Sequence, residues 1–196
     1  MGIRLAGLRP GDLDEQQAEV YQAIAGGPRA AGPQAFPLVD EDGVLRGPFN
    51  AMLLSPSVGG AVQAVGSAVR YGSVLSDRLR EIAILAVAAR WGSAFEREAH
   101  EAVGRMRGLD EHELGVLRAG ALPESADLDE RTTLRVVAAL VHRSVLTDDE
   151  YADGVAVLGE RGLFELTTLV GYYGMLALQL RVFAGESPED RPAPAG

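Results

Sequence analysis

Glu81, Ser93, Glu96 and His100 bring a hydroxyl, two carboxyls and an imidazole into one short stretch of this chain. Ser93, Glu96 and His100 are spaced three and four apart, so at about 100° per residue they share one face of a helix. A carboxylate one turn before an imidazole can orient and charge the ring, which makes a general acid/base pair. Glu81 stands at the entrance to Ile82 through Ala89, which are apolar on every side and therefore read as a buried helix. It is the second acid/base candidate, because titratable groups in such surroundings concentrate at functional sites.

Each of these residues also has a purely structural explanation. Ser93-Ala94-Phe95-Glu96 spells a capping box, in which Ser and Glu satisfy one another's backbone donors. Glu81 lies in a first helical turn, where the dipole favours a carboxylate and Arg78 is three residues away. His100 borders the apolar stripe of Phe95, Ala99, Ala102, Val103 and Met106, with Glu96 and Arg107 on the same border. His142 reads as a cation at a helix C-terminus, and His112 as an exposed residue of a first turn. Scattered histidines without a supporting ligand set point to no metal site. Gly171-Tyr172-Tyr173-Gly174 can present phenols to a pocket or let helices pack closely.

The elements that must position these groups are helical. Asp12 or Asp14 caps a helix reaching Ile24, with Val20, Ala23 and Ile24 turned inward. Gly26-Gly27-Pro28 stops it, and Gly/Pro punctuation runs on to Pro48. That length exceeds an ordinary connector and marks either a functional loop or a surface excursion. A helical turn over Pro48–Leu54 leads to a helix from Pro56 to about Tyr71. Ser76 or Asp77 then caps the apolar helix, which breaks at Trp91-Gly92-Ser93 before the helix of Glu96 and His100. Capping patterns at Asp110 and Thr147 start helices reaching Arg118 and Gly162. Another helix runs from Glu130 to His142, and the last from Phe164 to Ala184. The expectation is a single all-α domain over 1–185 and a disordered Pro-rich tail over 186–196.

Composition sets the outer limits. The 196 residues are 47% hydrophobic and only 6% aromatic, without the strict alternation of half-buried strands. A net charge of −10 argues against nucleic acid, whose phosphates require basic surface. The apolar stretch Phe164–Phe183 contains Glu165, Gln179 and Arg181 and reads as a core helix, not a membrane span. No cationic-then-apolar leader begins the chain, so a cytoplasmic protein is expected. There are no cysteines, hence no disulfide, thiol nucleophile or thiolate metal site.

The run Leu79-Arg80-Glu81-Ile82-Ala83-Ile84-Leu85, then Arg90-Trp91-Gly92, then Glu96 and His100 followed by Gly108-Leu109, resembles the carboxymuconolactone decarboxylase family. That family shares its fold with the AhpD-type alkylhydroperoxidases. Arg46-Gly47-Pro48-Phe49-Asn50 resembles the upstream signature of its longer members, and Gly162–Tyr173 their C-terminal helix. Its peroxidase branch uses a CxxC pair, and aligned on Glu81 and His100 those positions here are Ser93 and Glu96. The resemblance therefore implies no thiol peroxidase. It implies cofactor-free acid/base chemistry on a small carboxylated or enolisable molecule, in the manner of a decarboxylase-type lyase. An isomerase, dehydratase or cyclase on the same scaffold, or a catalytically idle helical protein, are the alternatives. In this reading His100, Glu96 and Glu81 carry the chemistry, and Ser93, Asn50, Phe49 and Tyr172 contact substrate. Arg78, Arg90 and Arg107 attract an anionic substrate against the overall charge. The family's habit of assembling as trimers or hexamers implies a homo-oligomer.

Overall fold

Ile82 through Ala88 leave water no polar face, and that composition fixes their place at the centre of the molecule. They belong to α4 (Asp77–Trp91), the fourth of eight α-helices among the described residues of a computed structural model, which describes residues 4–31 and 36–184. The others are α1 (Glu15–Ala25), α2 (Phe49–Met52), α3 (Pro56–Tyr71), α5 (Ala94–Met106), α6 (Glu111–Arg118), α7 (Leu128–Arg143) and α8 (Asp148–Gln179). A π-helical turn, Leu180–Ala184, closes α8. α4 packs against α5, α6, α7 and α8, while α1, α2 and α3 lean on one another and α3 on α8. The described residues are all-α. Among the described residues the sole isolated β-bridge joins Val39 to Leu45.

The caps fall where the sequence puts them. Asp14, Asp110 and Thr147 each accept from the third residue of their helix and receive a reciprocal bond, which completes a capping box. Ser76 accepts from the Leu79 N–H at 3.2 Å and starts α4. α7 begins at Leu128 under an Asp127 cap, ahead of the expected Glu130. Ala23 is exposed, unlike Val20 and Ile24. The break in the C-terminal helical region lies at Gly159 (φ 69°, ψ 165°), not after Gly162. Gly159 takes the left-handed φ that glycine adopts without strain, whereas Gly162 is buried within the helix against Leu158. α8 is long and apolar enough to cross a membrane by length and composition, and its Leu163, Leu166, Leu169, Tyr172, Tyr173 and Leu176 are buried in the core.

The long punctuated segment is built, not loose, in its described part. Asp40 accepts from the N–H groups of Asp42 and Val44, and Tyr21 Oη donates to the Gly43 carbonyl at 2.9 Å. A 3₁₀ turn, Pro28–Ala30, buries Arg29. The tail expected to be disordered, 186–196, lies outside the described residues.

Candidate active site

The turn between α4 and α5 aims the two helices at one another. Gly92 sits at φ 64°, and the N–H of Ser93 reaches back to the Ala88 carbonyl at 2.9 Å. That left-handed residue with its six-to-one bond is a Schellman ending, and a side chain at Gly92 would be strained there. α5 folds back along α4, and its His100 meets Glu81, nineteen residues earlier.

His100 Nδ1 lies 2.7 Å from Glu81 Oε2, and its Nε2 lies 3.5 Å from Glu96 Oε2. The three residues are 3%, 5% and 4% exposed respectively. The ring is therefore clamped between two carboxyls, with the shorter contact to Glu81. Two lone pairs facing one another repel, so a proton must lie on the Nδ1–Oε2 line. A second proton on the Glu96 side makes the ring an imidazolium or Glu96 an acid. Nε2, on the longer contact, is the nitrogen better able to exchange a proton with a third group. Glu81 thus makes the shorter contact, on Nδ1, and Glu96 the longer one, on Nε2.

A ladder of aromatic edges leads outward from this unit. Tyr173 packs edge-to-face on His100 with centroids 5.1 Å apart, and Tyr172 on Tyr173 at 5.3 Å. Burial pushes both phenols above their usual range, Tyr173 further than Tyr172, so both remain neutral donors at physiological pH. Gly66 is the opening that lets Tyr172 in, because a Cβ there would lie 2.1 Å from Tyr172 Oη and 2.5 Å from Arg29 Nη2. Arg29 in turn lies over the Phe49 ring at 5.1 Å. Beside this ladder is a cavity of about 190 Å³ lined by Arg29, Phe49, Arg70 and, from α5, Val103 and Arg107. Val103 and Arg107 stand three and seven residues beyond His100 on one face of α5.

Residues 56–139 match the carboxymuconolactone decarboxylase family. No curated protein matches the chain. The AhpD core of an uncharacterised peroxidase-related protein from Ralstonia eutropha is similar in structure, with a TM-score of 0.71, 13% identity, and coverage of 97% of this chain and 95% of that one. The debrominase Bmp8, as a cysteine-to-alanine variant in complex with 2,3,4-tribromopyrrole, superposes with a TM-score of 0.67 at 12% identity, covering 93% and 90%. A protein of unknown function from Agrobacterium tumefaciens gives 0.59 at 20% identity, covering 73% of this chain and 99% of that one. At these identities the likenesses establish the fold.

The structure gathers part of the expected site and disperses the rest. Glu81, Glu96, His100 and Tyr172 come together, with Phe49 and Arg107 on the adjoining cavity. Ser93 is 1% exposed at the first turn of α5, and its Oγ makes no cap bond and has no hydrogen-bond partner. The capping-box expectation for Ser93 and Glu96 is therefore overturned. Arg78 does not pair with Glu81 or face the site. It binds Glu113, Glu130 at 2.8 Å and the Gly108 carbonyl, a brace joining α4 to α6 and α7. Asn50 latches the N-terminal segment: its Oδ1 accepts from Leu8 N–H at 3.0 Å and its Nδ2 donates to the Ala6 carbonyl. Arg90 is exposed and lines a different cavity with Trp91. Arg107 is tied to Asp77 at 2.8 Å as well as lining the cavity. Sequence reasoning missed Arg29 and Arg70, and named Tyr173 only as one of two phenols that could face a pocket. Arg29 was hidden in the punctuated segment, where no periodicity shows which side chain turns inward. Among the described residues no group of three or more His, Asp or Glu is arranged to hold a metal ion.

Proposed function

We propose that this protein is a cofactor-free acid/base enzyme acting on a small carboxylated or enolisable molecule, as a decarboxylase-type lyase. The observation that carries the reading is His100 clamped between Glu81 and Glu96 in a dry site. Substrate enters from the 190 Å³ cavity. The carbon–carboxylate bond breaks, carbon dioxide leaves, and its electron pair passes into a conjugated carbonyl or lactone. His100 Nε2 then delivers its proton to the carbanionic carbon, and the ring recovers one through Glu96 and solvent. Glu81 keeps the ring in place and stabilises its charge throughout. Because the chain has no cysteine, it has no thiol of its own for peroxidase chemistry.

Incubation with 4-carboxymuconolactone is expected to release carbon dioxide. A folded preparation that releases none would move the assignment to isomerisation, dehydration or cyclisation with the same proton relay. We further propose a homo-oligomer, trimer or hexamer. Val58, Ala61, Val65 and Ala68 form an exposed apolar row on α3 of the kind that subunit contacts cover. A monomer by light scattering would contradict that part.

A further inference from the structure

Arg29 is 9% exposed, yet its Nε and Nη2 have no hydrogen-bond partner. Those two nitrogens are shielded against the surrounding helices, so the rest of the guanidinium is what faces the adjoining cavity. Among the described residues neither Arg29 nor Arg70, which lines the same cavity, has an acidic partner, although the chain carries 28 Asp and Glu against 18 basic residues. A buried cation without a counter-charge is costly, and two facing one small cavity repel. Tyr172 Oη lies beside the same guanidinium at Gly66, and the two side chains interact there. Phe49 supplies an apolar wall under Arg29. The volume, about 190 Å³, is below the usual range for drug-sized ligands and suits a small acid.

We infer that this cavity is an anion subsite that holds the carboxylate of a small planar acid against the Arg29 guanidinium. Arg70 supplies the second charge. The inference deepens the proposed function, on which it rests for its link to catalysis, by naming the group that anchors the substrate. Val103, one turn beyond His100 on α5, lines the cavity, so an acid held there lies against the helix that carries the imidazole. The rival explanation is that Arg29 and Arg70 merely balance Glu81 and Glu96 at a distance.

The test is calorimetric titration with benzoate and with benzamide, its neutral counterpart, on wild type, Arg29→Gln, Arg29→Lys, Arg70→Gln and His100→Gln, each checked for a cooperative thermal transition. Saturable benzoate binding is expected, with benzamide weaker by about tenfold or more. Arg29→Gln and Arg70→Gln should each lose about tenfold or more, Arg29→Lys less, and His100→Gln little. Benzamide binding as well as benzoate, or arginine variants indistinguishable from wild type, would overturn the subsite. So would absence of benzoate binding to the folded wild type. Benzoate binding by a protein that releases no carbon dioxide would leave the subsite standing and remove only the decarboxylase reading.

Discussion

Two charged clusters grow from the first turns of α4, three residues apart, and they end in opposite conditions. Arg78 is saturated: Glu113, Glu130 and the Gly108 carbonyl take its donors, and Ser125 completes Glu130. It lies partly in solvent and ties three helices together. Glu81 is buried and holds one imidazole, and the groups around that imidazole are incomplete. Ser93 Oγ and two nitrogens of Arg29 lack partners. A cluster built for stability closes its hydrogen bonds, because an open buried donor costs about 1–3 kcal/mol. Where several stay open in one region, the missing partner is more reasonably a substrate. Polar satisfaction, more than the presence of charge, separates brace from site.

The contrast can be broken most forcefully at His100. His100→Gln should lower turnover about 10²–10⁴-fold while the protein keeps its helical circular dichroism. Gln is the better choice over Ala, because truncation would leave Glu81 and Glu96 facing an empty space. Glu81→Gln should lower kcat by about 10²-fold or more with a smaller change in KM, since it steers the ring and does not bind substrate. Steady-state kinetics on both variants reads these effects.

The brace should answer differently. Arg78→Met should leave kcat near wild type but destabilise the fold by about 1–3 kcal/mol, read by urea denaturation at neutral pH. Its pH dependence has a definite sign. The Arg78 guanidinium holds the Glu113 carboxyl below its usual range, and the Ser125 hydroxyl followed by Arg78 does so for Glu130. A depressed carboxyl stabilises the fold above its unfolded value of 4.5, and that contribution is lost as pH falls through the lower folded value. The gap between wild type and Arg78→Met should therefore narrow as pH falls below 4.5. A gap that stays constant there would mean the brace works by packing alone. The smallest effect is at Ser93. Ser93→Ala removes a buried hydroxyl without a partner, so Tm should hold or rise slightly while turnover falls; a clear drop in Tm would show the hydroxyl is structural.

Much of this architecture was readable in the sequence, and the reason is local. Caps at Asp14, Ser76, Asp110 and Thr147, and the stop at Gly92, are decided by a few neighbouring residues. The all-round apolar α4 could only be central. The Glu81–His100 contact was another matter, because periodicity shows which residues share a face within one helix and nothing of what faces it from the next. The same limit sent Arg78 to the site and left Arg29 out of it. Asn50 stands out in the sequence because its surroundings carry the family signature, and its amide bonds the Ala6 and Leu8 backbone.

The central claim is that one buried imidazole passes the proton. It is tested most directly by comparing the initial rates of carbon dioxide release from 4-carboxymuconolactone by wild type and His100→Gln, with folding matched by circular dichroism. The account predicts release by wild type and a loss of about 10²–10⁴-fold in the variant. Equal rates of release from the two folded proteins would contradict it.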